Sequence, residues 1–218
     1  MEGVFSIGYT AFLILDFINI LKYFKIRLVV DVRSQPYSNR FEDYNKENIS
    51  QALARSGIYY RNYAKEFGAR QTESRFFTND GYLDFEKYAR SDSFSAGFAK
   101  LDESVKSGYT IAFMCAEKNP ARCHRSILVT RAFRNAGYNV KHILSGGNTE
   151  SQDDIDDQLL DDYFPNRMQL SLCESKSDTE LLTEAYRRRN AEIGYRLGEA
   201  YNGFTNTRIY KEISSAIF

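Results

Sequence analysis

Short, continuously apolar runs alternate along this chain with longer stretches that carry a single apolar stripe. Val4-Phe5-Ser6-Ile7-Gly8 predicts a first strand that stops at a glycine. Thr10 reads as the N-cap of a helix whose stripe is Phe12, Leu13, Leu15, Phe17, Ile20, Leu21 and Phe24. Leu28 to Val32 is apolar but for Asp31, the pattern of a strand covered on both faces. Strand, helix and strand in that order predict a right-handed parallel crossover. The alternation continues with a helix over 48–56 closed by Gly57 and a short strand at 58–60. Helices are expected over 83–89 and 94–105, a strand over 109–114, and a helix from Cys123 to about 136 stopped by Gly137. A last strand is expected over 139–144, followed by a turn at 145–148.

This order predicts an α/β fold in three layers, a mostly parallel sheet flanked by helices. The α/β domain is expected over residues 1–165, with a polar, partly helical C-terminal extension over 166–218. Just before that boundary an acidic stretch over 150–162 carries Ile155, Leu159 and Leu160 on one stripe, a solvated helix docking on the core. The extension is expected to hold a helix around 181–196, whose Arg187-Arg188-Arg189 run reads as a solvated face.

Composition narrows the function classes. With 218 residues the chain supports one full core. Its 29 basic and 29 acidic residues cancel, which disfavours a generally basic, nucleic-acid-coating surface. No apolar run nears the roughly 18 residues of a membrane span. Met1-Glu2-Gly3 lacks the basic start of a secretory leader. Three cysteines are too few for a disulfide scaffold, so free thiols in a reducing cytoplasm are expected.

The chemistry concentrates between Cys115 and Arg125. Cys115 closes the central strand, and Cys123-His124-Arg125 opens the next helix, where backbone N–H groups favour a thiolate. Cys115 and Cys123 are candidate nucleophiles, with His124 as base and Asp31, at the end of the second strand, as the group orienting His124 or Arg125. The loop after that second strand lies at the carboxyl edge where open α/β sheets take ligands. Arg33, Ser34, Arg40, Glu117, Arg125 and Tyr9 are the candidate substrate-binding residues, with arginines suited to an anion. Six residues separate Cys115 from Arg122, one more than the loop of cysteine phosphatases holds, and no P-loop is present. Cys115, Cys123 and His124 could instead hold a metal, although the remaining cysteine, Cys173, sits in the polar tail and the usual fourth ligand is missing. His142, on a predicted strand, reads as a structural histidine.

Three motifs carry a resemblance to a known family. They are Ser6-Ile7-Gly8-Tyr9-Thr10, then Val30-Asp31-Val32-Arg33-Ser34-Gln35-Pro36-Tyr37-Ser38, then Met114 to Lys118 with Pro120 and Cys123-His124-Arg125. With Gly137, Val140, His142 and Ile143 they resemble the domain of unknown function 488 family over about residues 3–165. The resemblance implies a compact α/β domain and a shared cluster, with no established activity or cofactor. The leading expectation is a thiol-dependent hydrolase or transferase acting on a small anionic molecule, phosphate- or nucleotide-containing, or on a nucleic-acid backbone. A nucleic-acid-binding module is the alternative, built on Arg55, Tyr59, Tyr60, Arg61, Tyr63, Arg70, Arg75 and Phe76. A metal-stabilised structural domain is the third reading.

Overall fold

The computed structural model of the protein describes residues 3–167 and 176–197. Its strands are β1 (Val4–Gly8), β2 (Leu28–Asp31), β3 (Tyr59–Asn62), β4 (Ile111–Cys115), β5 (Val140–Ile143) and β6 (Thr149–Ser151). They form one sheet in the order β3-β2-β4-β1-β5-β6, and only β6 runs antiparallel to its neighbour. The expected α/β architecture is therefore present, with β4 buried along its whole length between β1 and β2.

The helices are α1 (Ile14–Tyr23), α2 (Lys46–Arg55), α3 (Ala64–Phe67), α4 (Phe85–Tyr88), α5 (Asp92–Lys106), α6 (Arg131–Asn135), α7 (Gln152–Tyr163) and α8 (Asp178–Ile193). A wide π turn, Arg125–Thr130, runs directly into α6. Two apolar layers sandwich the sheet. On one face Phe17, Ile18 and Leu21 of α1 and Ile49 and Leu53 of α2 pack with Ile7, Val29, Ala112 and Met114. On the other, Phe94 and Leu101 of α5 and Ile127, Leu128 and Phe133 around α6 pack with Val4, Val30, Phe113 and Cys115. Burying each such side chain contributes about 1.5–3 kcal/mol.

This layering fixes where a site can form. β1 and β2 exit toward the α1/α2 face, whereas β4, lying between them, exits toward the α5/α6 face. Neighbouring parallel strands whose loops part to opposite faces open a crevice at their carboxyl ends. The loop after Cys115 rises from that crevice.

Several local expectations are corrected. Thr10 does not cap α1: its hydroxyl donates to the Ala116 carbonyl at 2.6 Å, and a 3₁₀ turn at Tyr9–Ala11 separates it from the helix. The start of the expected stripe accordingly faces solvent, with Leu13 76% and Leu15 72% exposed. Residues 145–148 do form a turn, but it folds Thr149–Ser151 back onto β5 as a sixth strand. The acidic stretch is helical as α7, with Ile155, Leu159 and Leu160 buried, and a capping box at Ser151 and Asp154 starts it. Of the extension, residues 168–175, including Cys173, and 198–218 lie outside the described residues. Its described helix, α8, packs Leu181, Ala185 and Tyr186 into the α5/α6 layer. In the arginine run Arg187 and Arg188 are exposed, while Arg189 is buried against Asp162 and Glu192. Among the described residues no helix is long and apolar enough to cross a membrane.

Candidate active site at the end of the central strand

The period-two alternation of β strands sorts the expected site residues onto two faces. Asp31 pairs with Met114 in register, so both point toward the α1/α2 layer. Cys115, one residue further, points to the α5/α6 layer, where Cys123 also lies. The cysteines and Asp31 therefore stand on opposite sides of the sheet.

On the cysteine face, Cys123 has extended backbone angles, φ −130° and ψ 138°. Its carbonyl accepts the N–H groups of Ser126 at 3.0 Å and Ile127 at 3.1 Å, the position that opens a helix. His124 then brings Nδ1 to 3.8 Å from the Cys115 sulfur and 4.0 Å from the Cys123 sulfur. Its Nε2 lies 3.0 Å from the Val32 carbonyl. A carbonyl only accepts, so Nε2 carries a proton, and Nδ1, facing both sulfurs, is the nitrogen placed to exchange one with them. Both cysteines are free and buried, and His124 is partly exposed.

The two thiols divide one role. The nearby Cys123 sulfur and burial push the Cys115 thiol well above the usual range. Burial opposes charge at Cys123 too, but the nearby Cys115 thiol, the Arg125 cation and His124 hold its thiol well below the usual range. The negative charge of the pair sits on Cys123.

Arg125 is fully buried, and its cation balances that charge. Its Nη1 donates to the Glu117 carbonyl, its Nη2 to the Lys118 carbonyl at 3.2 Å, and its Nε to Ser6 Oγ at 3.3 Å. Two of the three nitrogens thus hold the loop, and the third ties the guanidinium to β1. The loop is fixed elsewhere as well: Glu117 Oε1 accepts the Asn119 N–H at 3.1 Å, and Asn119 Oδ1 accepts that of Ala121 at 2.8 Å. The Glu117 backbone crosses so close above Gly8 that a Cβ there would meet the Glu117 carbonyl oxygen at 2.0 Å. Gly8 is therefore a matter of contact, not of backbone angle, since its φ is −97°.

Beneath Arg125 runs a buried polar chain. Ser6 Oγ lies 2.7 Å from His142 Nδ1, and His142 Nε2 lies 3.2 Å from Gln152 Oε1. Thr130 donates to the same Gln152 oxygen at 2.8 Å, and Gln152 Nε2 donates to Ser126 Oγ and to the Tyr186 hydroxyl. Because Gln152 Oε1 only accepts, His142 carries its proton on Nε2 and accepts from Ser6 at Nδ1. Burial and the Arg125 charge push His142 down to about 3, so it is neutral. Its expected structural role is consistent with these contacts.

The expectation that Asp31 orients His124 or Arg125 is corrected by the other face. The Asp31 carboxylate accepts from Arg33 Nε at 2.9 Å, from Arg33 Nη2 at 2.6 Å and from the Tyr60 hydroxyl at 2.6 Å. His124 takes its orientation from the Val32 carbonyl instead. Arg33 is 5% exposed, lies over the Tyr9 ring and also donates to the Tyr44 carbonyl, so it clamps the loop. Arg33 and Arg125 thus spend donors on the protein itself, with Arg33 Nη1 left without a hydrogen-bond partner. Ser34 Oγ accepts the Arg70 N–H, Tyr9 is buried, and exposed Arg40 lies over Phe41 on the α1/α2 side. Glu117 uses its carboxylate within its own turn.

The contacts of Ser6 and Gln152 were missed from sequence. A serine inside an otherwise apolar strand was the available signal for Ser6, whereas Gln152 gave none. The Val32 carbonyl, being backbone, cannot be read from residue type. In the aromatic and basic stretch proposed for nucleic acid, Tyr60 and Phe76 are buried and Tyr63 stacks on Phe67 at 5.5 Å, whereas Arg55, Tyr59, Arg61 and Arg75 are exposed. Among the described residues, Cys115, Cys123 and His124 are the one group of at least three His, Cys, Asp or Glu donors that converge, all within 4.8 Å, and could hold a metal.

Comparison with curated proteins and with solved structures finds no match. A family match does emerge over residues 14–132, a span that takes in the Asp31–Arg33 clamp and the whole Cys115–His124 cluster. Its description is "Domain of unknown function DUF488", and with more than half of the sequence matched the chain belongs to that family.

Proposed function

We propose that the protein is a thiol-dependent hydrolase or transferase acting on an anionic, phosphate- or nucleotide-containing molecule. Cys123 is its nucleophile, and His124 is the group that takes up and returns a proton. The observation that carries the reading is Nδ1 of His124 facing both sulfurs, with the ring oriented by Nε2 on the Val32 carbonyl. A nucleophile, a base in reach and a third group orienting that base form the usual unit of covalent catalysis. Arg125 favours the charged sulfur, and exposed Lys118 and Arg122 on the same loop supply cations toward solvent, which supports an anionic substrate.

The test is the rate of iodoacetamide alkylation against pH, with the modified cysteine mapped. Cys123 should react with a midpoint well under the free-thiol value of about 8.5, and His124→Asn should slow it. A midpoint at or above that value in the wild type would sink the reading.

A second reading follows from the same convergence. Two thiolates and an imidazole whose other nitrogen is held by a backbone carbonyl also suit a zinc ion with an open position. Elemental analysis separates the two, because stoichiometric zinc in the purified protein would turn the cysteines from nucleophile into ligands.

A further inference from the structure

Nucleophilic transfer needs one thiol, yet this site holds two whose sulfurs are neighbours. Cys115 is fixed at the end of the central strand, where the register with Gly8 of β1 places it. Cys123 ends the loop that follows, after the 3₁₀ turn Pro120–Arg122. Both are free, both are buried, and their sulfurs lie within 4.8 Å of each other. A disulfide needs the sulfurs at about 2.05 Å. The approach required is under about 3 Å, and Cys123, unlike Cys115, lies outside the sheet.

We propose that Cys115 and Cys123 form a reversible disulfide when the protein meets a hydroperoxide, and that this bond switches the site off. The proposal rests on the reading of Cys123 as the reactive thiol. In the first step the Cys123 sulfur attacks one peroxide oxygen and the O–O bond breaks. The departing oxygen leaves as hydroxide or alkoxide and takes up a proton, leaving Cys123 as a sulfenic acid. In the second step His124 Nδ1 accepts the Cys115 proton, and the Cys115 sulfur attacks the Cys123 sulfur. The S–O bond breaks and water leaves with that proton. The two sulfurs together lose two electrons to the peroxide. A small thiol restores both by exchange, through a mixed disulfide.

Burial favours this outcome over further oxidation. Cys123 is 4% exposed, so a second peroxide reaches it slowly, while the Cys115 sulfur already lies within 4.8 Å. Oxidation also removes the Cys115 hydrogen-bond donor and the Cys123 nucleophile together, which is why the bond acts as an off switch.

The experiment treats the reduced protein with one equivalent of hydrogen peroxide and then blocks free thiols. Intact mass and a tryptic map without reductant are recorded. Trypsin cuts at Lys118 and Arg122, between the two cysteines, so only a disulfide joins their peptides. The expected result is a loss of two hydrogens, a bridged Cys115–Cys123 peptide pair, and its separation on reduction. Cys115→Ser should instead retain one added oxygen on Cys123, trapped by dimedone, and Cys123→Ser should give neither product. The wild-type map alone decides the matter if either variant fails to fold. Added oxygen on Cys123 of the wild type without bridging overturns the disulfide. So does an unmodified protein whose Cys123 is still alkylated readily at about pH 6, and both results leave the nucleophile reading intact. If Cys123 resists alkylation below about pH 8.5 as well, both readings fall together.

Discussion

Mild acid should destabilise this protein through His142. In the folded chain the imidazole is sealed between Ser6 and Gln152, fully buried and facing the Arg125 cation, which together push it down to about 3. In the unfolded chain a histidine titrates near 6.5. Between those two values the unfolded state binds a proton that the folded state refuses, so folding stability falls as pH falls. The contribution is fully present above about pH 6.5 and is lost progressively toward pH 3. Between pH 7 and pH 5 the loss amounts to about 2 kcal/mol, the equivalent of one and a half pH units below the unfolded value. Carboxylates in folded proteins titrate mostly below that window, so the histidine dominates it. Urea unfolding at pH 7, 6 and 5 measures the effect. His142→Gln keeps an amide able to hydrogen-bond to Ser6 and Gln152, and it should flatten the pH slope whatever it costs at pH 7. Equal slopes for wild type and variant would show that the buried ring charges in place, and would refute the neutral chain from Arg125 to Gln152.

Four further substitutions, Gly57→Ala among them as a control, test the site's construction. Arg125→Met keeps the stem packed but removes three buried donors, and should cost about 3 kcal/mol in urea unfolding, or about 6–12 °C in Tm, while raising the pH midpoint of Cys123 alkylation. Gly8→Ala should cost about 1–3 kcal/mol or more because its Cβ strikes the Glu117 carbonyl, whereas Gly57→Ala, in open space at φ +72°, should cost about 1 kcal/mol for its backbone angle alone. Asp31→Asn should destabilise by about 3–5 kcal/mol, since Arg33 loses its buried counter-charge, yet leave the Cys123 alkylation profile unmoved because Asp31 lies on the opposite face.

The last contrast locates what could be read from the chain and what could not. Continuous apolar runs announced β1, β2 and β4, and the glycines at 57 and 137 marked real helix stops, with φ +72° and +89°. The cluster itself was legible because Cys115 ends one such run and Cys123-His124 opens the next helix, so proximity in sequence became proximity in space. Asp31 failed for a reason the same pattern contains. It ends a strand on the same sheet edge as Cys115, which suggested partnership, but the register sets it beside Met114, and one residue of offset on a pleated strand reverses the face. Arginines failed differently. Composition marks them as anion binders, but Arg33 and Arg125 are committed to Asp31 and to the carbonyls of Tyr44, Glu117 and Lys118, and no residue pattern announces a bond to backbone. A buried guanidinium that tethers a loop and biases a thiol two residues away serves structure and chemistry at once. That is why Arg125→Met should move stability and the Cys123 profile together, while Asp31→Asn moves only the first.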